Sequence, residues 1–284
     1  MLLAHLALIG RILLIGYERI IFKQLGENSG SVETVFLIFS TGTVLLLPFL
    51  FFAEAPPDYG FLYFSCFAGL VYTLQTVLYI KSLSLGEASL VTPLYYFNVF
   101  FLLVLTTVFL GEPLTIVKIA GILLLVYGST FLNRQQNIFH SLKALARDKA
   151  CRFMIASSVL VAVGRTVDGF VVRRIHPLVY TFSLCLVTCL FLFVYLAATG
   201  RLGKAFLMFK EKRGRAVTAG AVDCYSYLLL MFAITRIEVS VAEPSTMLGL
   251  IVTVVLAHFV FRERIRERLV GAAIMIAGAW LLLG

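Results

Sequence analysis

Ten apolar runs, each about as long as a bilayer core is thick, constrain this chain more than any other feature. They occupy roughly residues 2–22, 33–53, 61–83, 88–110, 114–132, 152–173, 178–199, 214–235, 239–260 and 267–283, and each is closed by charge, Gly or Pro. A helix needs about 20 residues to cross the hydrocarbon. A membrane strand crosses in about 9–11 residues and alternates in polarity, which runs such as Val99–Leu110 and Ala272–Leu283 do not. The fold class these runs predict is an all-α membrane protein with ten transmembrane helices. Asp, Glu, Lys and Arg make up only 14% of the residues, against about 25% in soluble domains. That is too little charge to cover a water-exposed surface, so a soluble enzyme is excluded.

The charge present is unevenly placed. Links following odd-numbered spans hold 17 Lys and Arg, whereas links following even-numbered spans hold four. Basic loops stay in the cytoplasm, so the count puts the 17 inside and both termini outside a plasma (inner) membrane. The same loops would touch anionic lipid head groups. The basic excess therefore has a membrane explanation, and no nucleic-acid partner is expected. The N-terminus lacks a basic region ahead of its apolar run, so no cleaved signal peptide is expected. Residues 134–152 place Ile138, Phe139, Leu142, Leu145 and Ala146 at helical spacing with Lys143 and Arg147 off that face. This reads as an interfacial amphipathic helix. It divides the chain into 1–133, a basic linker 134–151, and 152–284.

The two halves repeat. Shifted by 151 residues, Glu87, Ser89, Pro93 and Glu112 fall on Glu238, Ser240, Pro244 and Glu263, and Gly69 falls on Gly220. After a slip of one residue, Gly121 and Gly128 fall on Gly271 and Gly278. Glycines seven apart form one smooth stripe, suited to close approach of another helix. Fixed spacing of polar and Pro positions indicates duplication. Because each copy has five spans, the copies must be inverted, an arrangement that places a solute near the midplane in secondary transporters.

The stretches 81–128 and 233–278 share a small polar residue, a Pro four later, an apolar helix, a Glu at its end and a Gly-bearing helix. In this they resemble the second part of an EamA domain, as found in the drug/metabolite transporter superfamily. The resemblance covers nearly the whole chain, most strongly in those two stretches. It implies two inverted five-helix repeats and secondary transport of a small organic solute, without naming the solute. It also implies cytoplasmic termini, opposite to the charge count.

Ionisable residues inside spans are costly and usually face the protein interior. Here they are Arg11, Glu18, Arg19, Arg165, Asp168, Asp223, Glu243 and His258. Arg165 and Asp168, three apart on one helix, form either a self-neutralising pair or a clamp for a carboxylate or phosphate. Arg19, Tyr72 and Tyr96 complete the candidate solute contacts, the tyrosines as walls for a ring or a cation. Glu18 and Arg19 point about 100° apart, so one of them should reach another helix. Burial disfavours a charged carboxylate, so Asp223 and Glu243 are candidates for carrying a coupling proton; a structural pair with an arginine, or a place near the water interface, is the alternative for Glu243. Pro93 and Pro244 free the carbonyls of Ser89 and Ser240 and should kink their helices. Glu112 and Glu263, at helix–helix turns, suit structural capping of a helix N-terminus.

The five Cys are scattered, the four His are far apart, and no phosphate loop, HExxH or GxSxG occurs. No metal, cofactor or catalytic residue is expected, and active transport would draw on a gradient or on exchange. The leading expectation is a transporter of a small polar or amphipathic metabolite, acting as monomer or homodimer by alternating access. Translocation of a lipid-linked head group is the alternative. An intramembrane enzyme is a poorer fit, because the buried acids lie singly on different spans.

Overall fold

A computed structural model describes residues 1–26, 29–54, 56, 58–85, 94–132, 148–261 and 269–283. Its elements are α1 (Leu2–Gly26), α2 (Ser31–Leu46), a 3-10 turn (Leu47–Phe52), α3 (Phe61–Leu85), α4 (Asn98–Leu110), α5 (Ile116–Leu132) and α6 (Lys149–Val172). They continue with α7 (Pro177–Ala198), α8 (Leu202–Glu211), α9 (Arg213–Ile234), α10 (Val239–Ser245), a second 3-10 turn (Thr246–Leu248), α11 (Gly249–Phe261) and α12 (Leu269–Leu283). No strand occurs among the described residues. Among the described residues, five segments are long and apolar enough to cross a membrane: Ser31–Phe52, Phe61–Tyr79, Lys149–Val172, Pro177–Ala198 and Arg213–Ile234. Asn98–Leu110, Ile116–Gly128, Val239–Thr253 and Val270–Leu283 are shorter apolar helical stretches. The 25-residue α1 has the length but also carries Arg11, Glu18, Arg19 and Lys23.

Two departures from the apolar-run pattern have local causes. The ninth run is interrupted, because Pro244 lies inside α10 and the chain tightens into the 3-10 turn before α11 begins. Proline removes the N–H that would bond four residues back. Hydroxyls take up nearby carbonyls at this break: Ser245 Oγ donates to Val241 O (2.7 Å) and Thr246 Oγ1 to Glu243 O (2.6 Å). In the first half a turn at Tyr96–Phe97 separates Leu94–Tyr95 from α4 at the corresponding place. The second departure is α8, formed inside the basic link 200–215, with Ala205 and Met208 buried and Phe206 and Leu207 exposed. The expected amphipathic helix at 134–152 lies almost wholly outside the described residues, as do Ser89, Pro93 and Glu263.

The chain forms two compact units, each drawing on both halves of the sequence. The first comprises Met1–Val77 and Val167–Arg236. Within it α1 packs on α9, and α2 on α9 and α7. At one end the Arg201 guanidinium grips Glu33 through two bonds (2.9 and 2.8 Å), and Lys212 Nζ donates to Leu25 O (3.2 Å) and Ser29 Oγ (2.9 Å). The second unit comprises Leu78–Thr166 and Ile237–Gly284. There α5 and α12 cross antiparallel along their glycine stripes. A Cβ on Gly121 would stand 2.9 Å from Gly278 O, and one on Gly128 would stand 2.9 Å from Gly271 O. α10 packs against α4, α5 and α12. Ser82 Oγ donates to Ala150 O (2.7 Å), and Lys81 lies over the Phe153 ring.

The burial pattern is that of a protein solvated by lipid. Leu3, Val44, Phe51, Val108, Ile116 and Trp280 are exposed, while Arg11, Ser65, Asn98, Arg165, Asp168 and Glu243 are buried. Water would select the reverse arrangement.

Candidate functional site

In the second unit the interrupted ninth run meets α6. Arg165 on α6 and Glu243 on α10 form an ion pair, Nε to Oε2 3.1 Å, with only 7% and 6% of each residue exposed. Pro244 follows Glu243 directly, so the acid sits at the helix break. The spacing of Arg165 and Asp168 had suggested an internal pair. The structure supplies Arg165 with an acid from a distant part of the chain. The pairing of Glu243 with an arginine, left open by the sequence, is the arrangement found.

Around the start of α10 the second unit builds a polar anchor. Glu112 accepts hydrogen bonds from Val239 N (2.8 Å) and Ser240 N (2.9 Å), so it caps α10, a helix in the other half of the chain. An acceptor carboxylate there satisfies orphan N–H groups and meets the positive end of the helix. Gly111, with φ 67°, ends α4 and turns the chain immediately before Glu112. Lys118 donates to Ser240 Oγ (3.1 Å) and Pro113 O (2.8 Å) and pairs with Glu238. Lys118 is one of the four basic residues counted in links following even-numbered spans. It is 7% exposed.

In the first unit Asp168, fully buried, accepts hydrogen bonds from Tyr72 OH (2.5 Å) and Tyr180 OH (2.8 Å). Tyr72 stands edge-on to Tyr227, centroids 6.1 Å apart. Tyr72, singled out from the sequence as a solute wall, is thus a donor to the very acid expected beside the solute. Tyr180 was missed, because nothing in local spacing ties a residue on α7 to an acid on α6. On α1, Arg11 Nη1 donates to Ser226 Oγ on α9 (2.5 Å) and faces Glu18 Oε2 at 3.7 Å. Glu18 therefore looks two turns back along its own helix. Asp223, also on α9, is half-buried. In the second unit Tyr96 is buried with its ring edge-on to Tyr95. The side chains of Arg19 and His258 lie outside the described set.

No group of three or more His, Cys, Asp or Glu among the described residues could hold a metal. The chemistry on offer is electrostatic: two buried arginines, carboxylates held by phenols or by a guanidinium, and a broken helix beside one of them.

No curated protein matches the sequence. Solved structures do. One, described only as a crystal structure of a protein, superposes with a TM-score of 0.76 at 15% identity, over 99% of this chain and 96% of its own. At that identity the likeness speaks for the fold alone. The model of the EamA-like transporter family matches twice, over residues 2–134 and 148–284. With both halves matched, this chain belongs to the EamA-like transporter family, whose members are membrane transporters of the drug/metabolite superfamily.

Proposed function

We propose that the protein is a ten-span secondary transporter of the plasma membrane. It moves a small polar or amphipathic organic solute by alternating access, driven by protons or by exchange. The observation that carries this reading is the Arg165–Glu243 pair, buried at the Pro244 break. A buried ion pair is a poor device for stability, because desolvation offsets most of the attraction. As a switch it is effective. Protonation of Glu243 removes its charge and leaves Arg165 to bind an anionic group, and a hinge beside the acid lets that exchange move the helix. Arg19, Asp168, Tyr72 and Tyr96 are the other proposed solute contacts, and Asp223 is the second proposed proton carrier.

Two sets of contacts support the architecture. Glu33–Arg201 joins the regions of the first and seventh links, Ser82–Ala150 the third and fifth, and Glu112–Val239 the fourth and eighth. Links of the same parity meet, as ten alternating spans require. The glycine contacts Gly121–Gly278 and Gly271–Gly128 interchange when each residue is replaced by its repeat equivalent, as a two-fold relation between inverted copies requires. The repeats are proposed at 1–133 and 152–284, joined by 134–151. Basic links face the cytoplasm and both termini face outward. With Lys118 engaged by Glu238, the outer links carry still less free positive charge.

Counterflow tests the reading. Proteoliposomes preloaded with an unlabelled amino acid, carboxylate, sugar, amine or nucleotide are offered the same solute in labelled form. Transient accumulation of at least one solute above protein-free vesicles is expected. No accumulation of any would overturn the transporter assignment.

A further inference from the structure

Arg165 is matched by Glu243, and Arg201 is held by Glu33 through two bonds. Arg11 is different. It is 4% exposed on α1, yet its guanidinium makes one aligned bond, from Nη1 to the neutral hydroxyl of Ser226. Its facing acid, Glu18, stands 3.7 Å away, beyond hydrogen-bond reach. Its Nε is buried with no hydrogen-bond acceptor among the described residues. A guanidinium carries five N–H donors in a fixed fork that matches a carboxylate or phosphate. A buried cation so incompletely partnered is costly, and an anionic oxygen pair supplied by a ligand removes that cost.

We infer that Arg11, with Ser226 fixing its orientation, is an anion-binding site for a carboxylate or phosphate group. Depth identifies the source of that group. Arg11 lies nine residues into a 25-residue helix, about 13 Å from its start at 1.5 Å per residue. That is close to the middle of a spanning helix and far from the depth of lipid head groups. The ligand is therefore the anionic end of a soluble solute. The inference rests on the transporter reading only in taking that solute to be the cargo. Glu18 acts as an internal counter-ion that the ligand displaces. Asp223, one turn before Ser226 on α9, is the further acid of the neighbouring helix and disfavours solutes of high negative charge.

Binding to the purified full chain in detergent at neutral pH tests this without transport. Titration calorimetry with benzoate, glutamate, succinate and inorganic phosphate should show at least one saturable interaction. Arg11→Gln should abolish it and Arg11→Lys should weaken it tenfold or more, since lysine keeps the charge and loses the fork. Glu18→Gln should tighten it severalfold, a gain that misfolding cannot produce. Three results would each overturn the site: no anion bound by wild type, binding that survives Arg11→Gln in monodisperse protein, or Glu18→Gln with no gain. Displacement of the bound anion by short-chain phosphatidylglycerol would overturn the choice of a soluble ligand. Counterflow confined to amines alongside intact anion binding would overturn its identity as cargo. Anion binding without any counterflow would instead remove the transporter reading and leave the site standing.

Discussion

Glu243 carries the sharpest consequences at the scale of single residues. If it loads a proton, Glu243→Gln should abolish uptake driven by an imposed pH gradient while counterflow persists, because glutamine stays neutral throughout the cycle. Uptake and counterflow both unchanged would remove Glu243 from coupling. The pair also makes a stability prediction. Arg165→Gln leaves a buried carboxylate unmatched and should cost about 3–5 kcal/mol. Arg165→Gln with Glu243→Gln should cost clearly less than the two single changes together, measured as a double-mutant cycle of thermal or denaturant unfolding. Strict additivity would mean the two side chains do not interact. These residues were legible in the sequence as costly charges inside apolar runs, but their partners were not. Beyond the i,i+3 spacing of Arg165 and Asp168 on α6, Arg165 meets Glu243 from α10, and Asp168 meets the phenols of Tyr72 and Tyr180 from α3 and α7. Partner choice over such distances depends on which helix faces meet, and periodicity within one run does not encode that.

Helix pairs show the opposite balance. The stripes Gly121/Gly128 and Gly271/Gly278 were readable as approach surfaces, and in the second unit they face each other. Gly278→Ala would place a Cβ 2.8 Å from Gly121 O. Backbone cannot yield cheaply there, so a loss of about 1–3 kcal/mol is expected. Gly203→Ala on the exposed face of α8 meets nothing within 4 Å and should be neutral or stabilise by up to about 1 kcal/mol. Thermal melting of both variants in one detergent checks the pair, and equal melting temperatures would contradict the close approach. Breaks were less legible than stripes. Pro244 announced a kink, yet the chain runs through seven residues of helix and a 3-10 turn before α11, because hydroxyls at Ser245 and Thr246 stabilise that geometry. The α8 helix was hidden inside a link noticed only for its charge. Capping was anticipated in kind at Glu112, but the helix it caps lies 127 residues further along the chain.

For the molecule as a whole, sidedness is the consequence most open to test. The distribution of Lys and Arg predicts an outward N-terminus and an inward α8. In a cysteine-free background, Leu2→Cys should react with an impermeant maleimide in intact cells, and Lys204→Cys only after permeabilisation. The reverse pattern would invert the topology. Fold class and duplication were readable because bilayer thickness and repeat spacing act on every residue of a run. The sequence halves, in contrast, did not foretell the compact units, each of which takes helices from both, because packing between helices follows facing surfaces rather than chain order. Alternating access requires that water reach the Glu243 position from one face of the membrane and then from the other. Glu243→Cys, probed with a charged methanethiosulfonate in right-side-out and inside-out vesicles, measures this directly. The account predicts modification from both faces. A thiol that reacts from neither face, or from one face only under every condition, would contradict it.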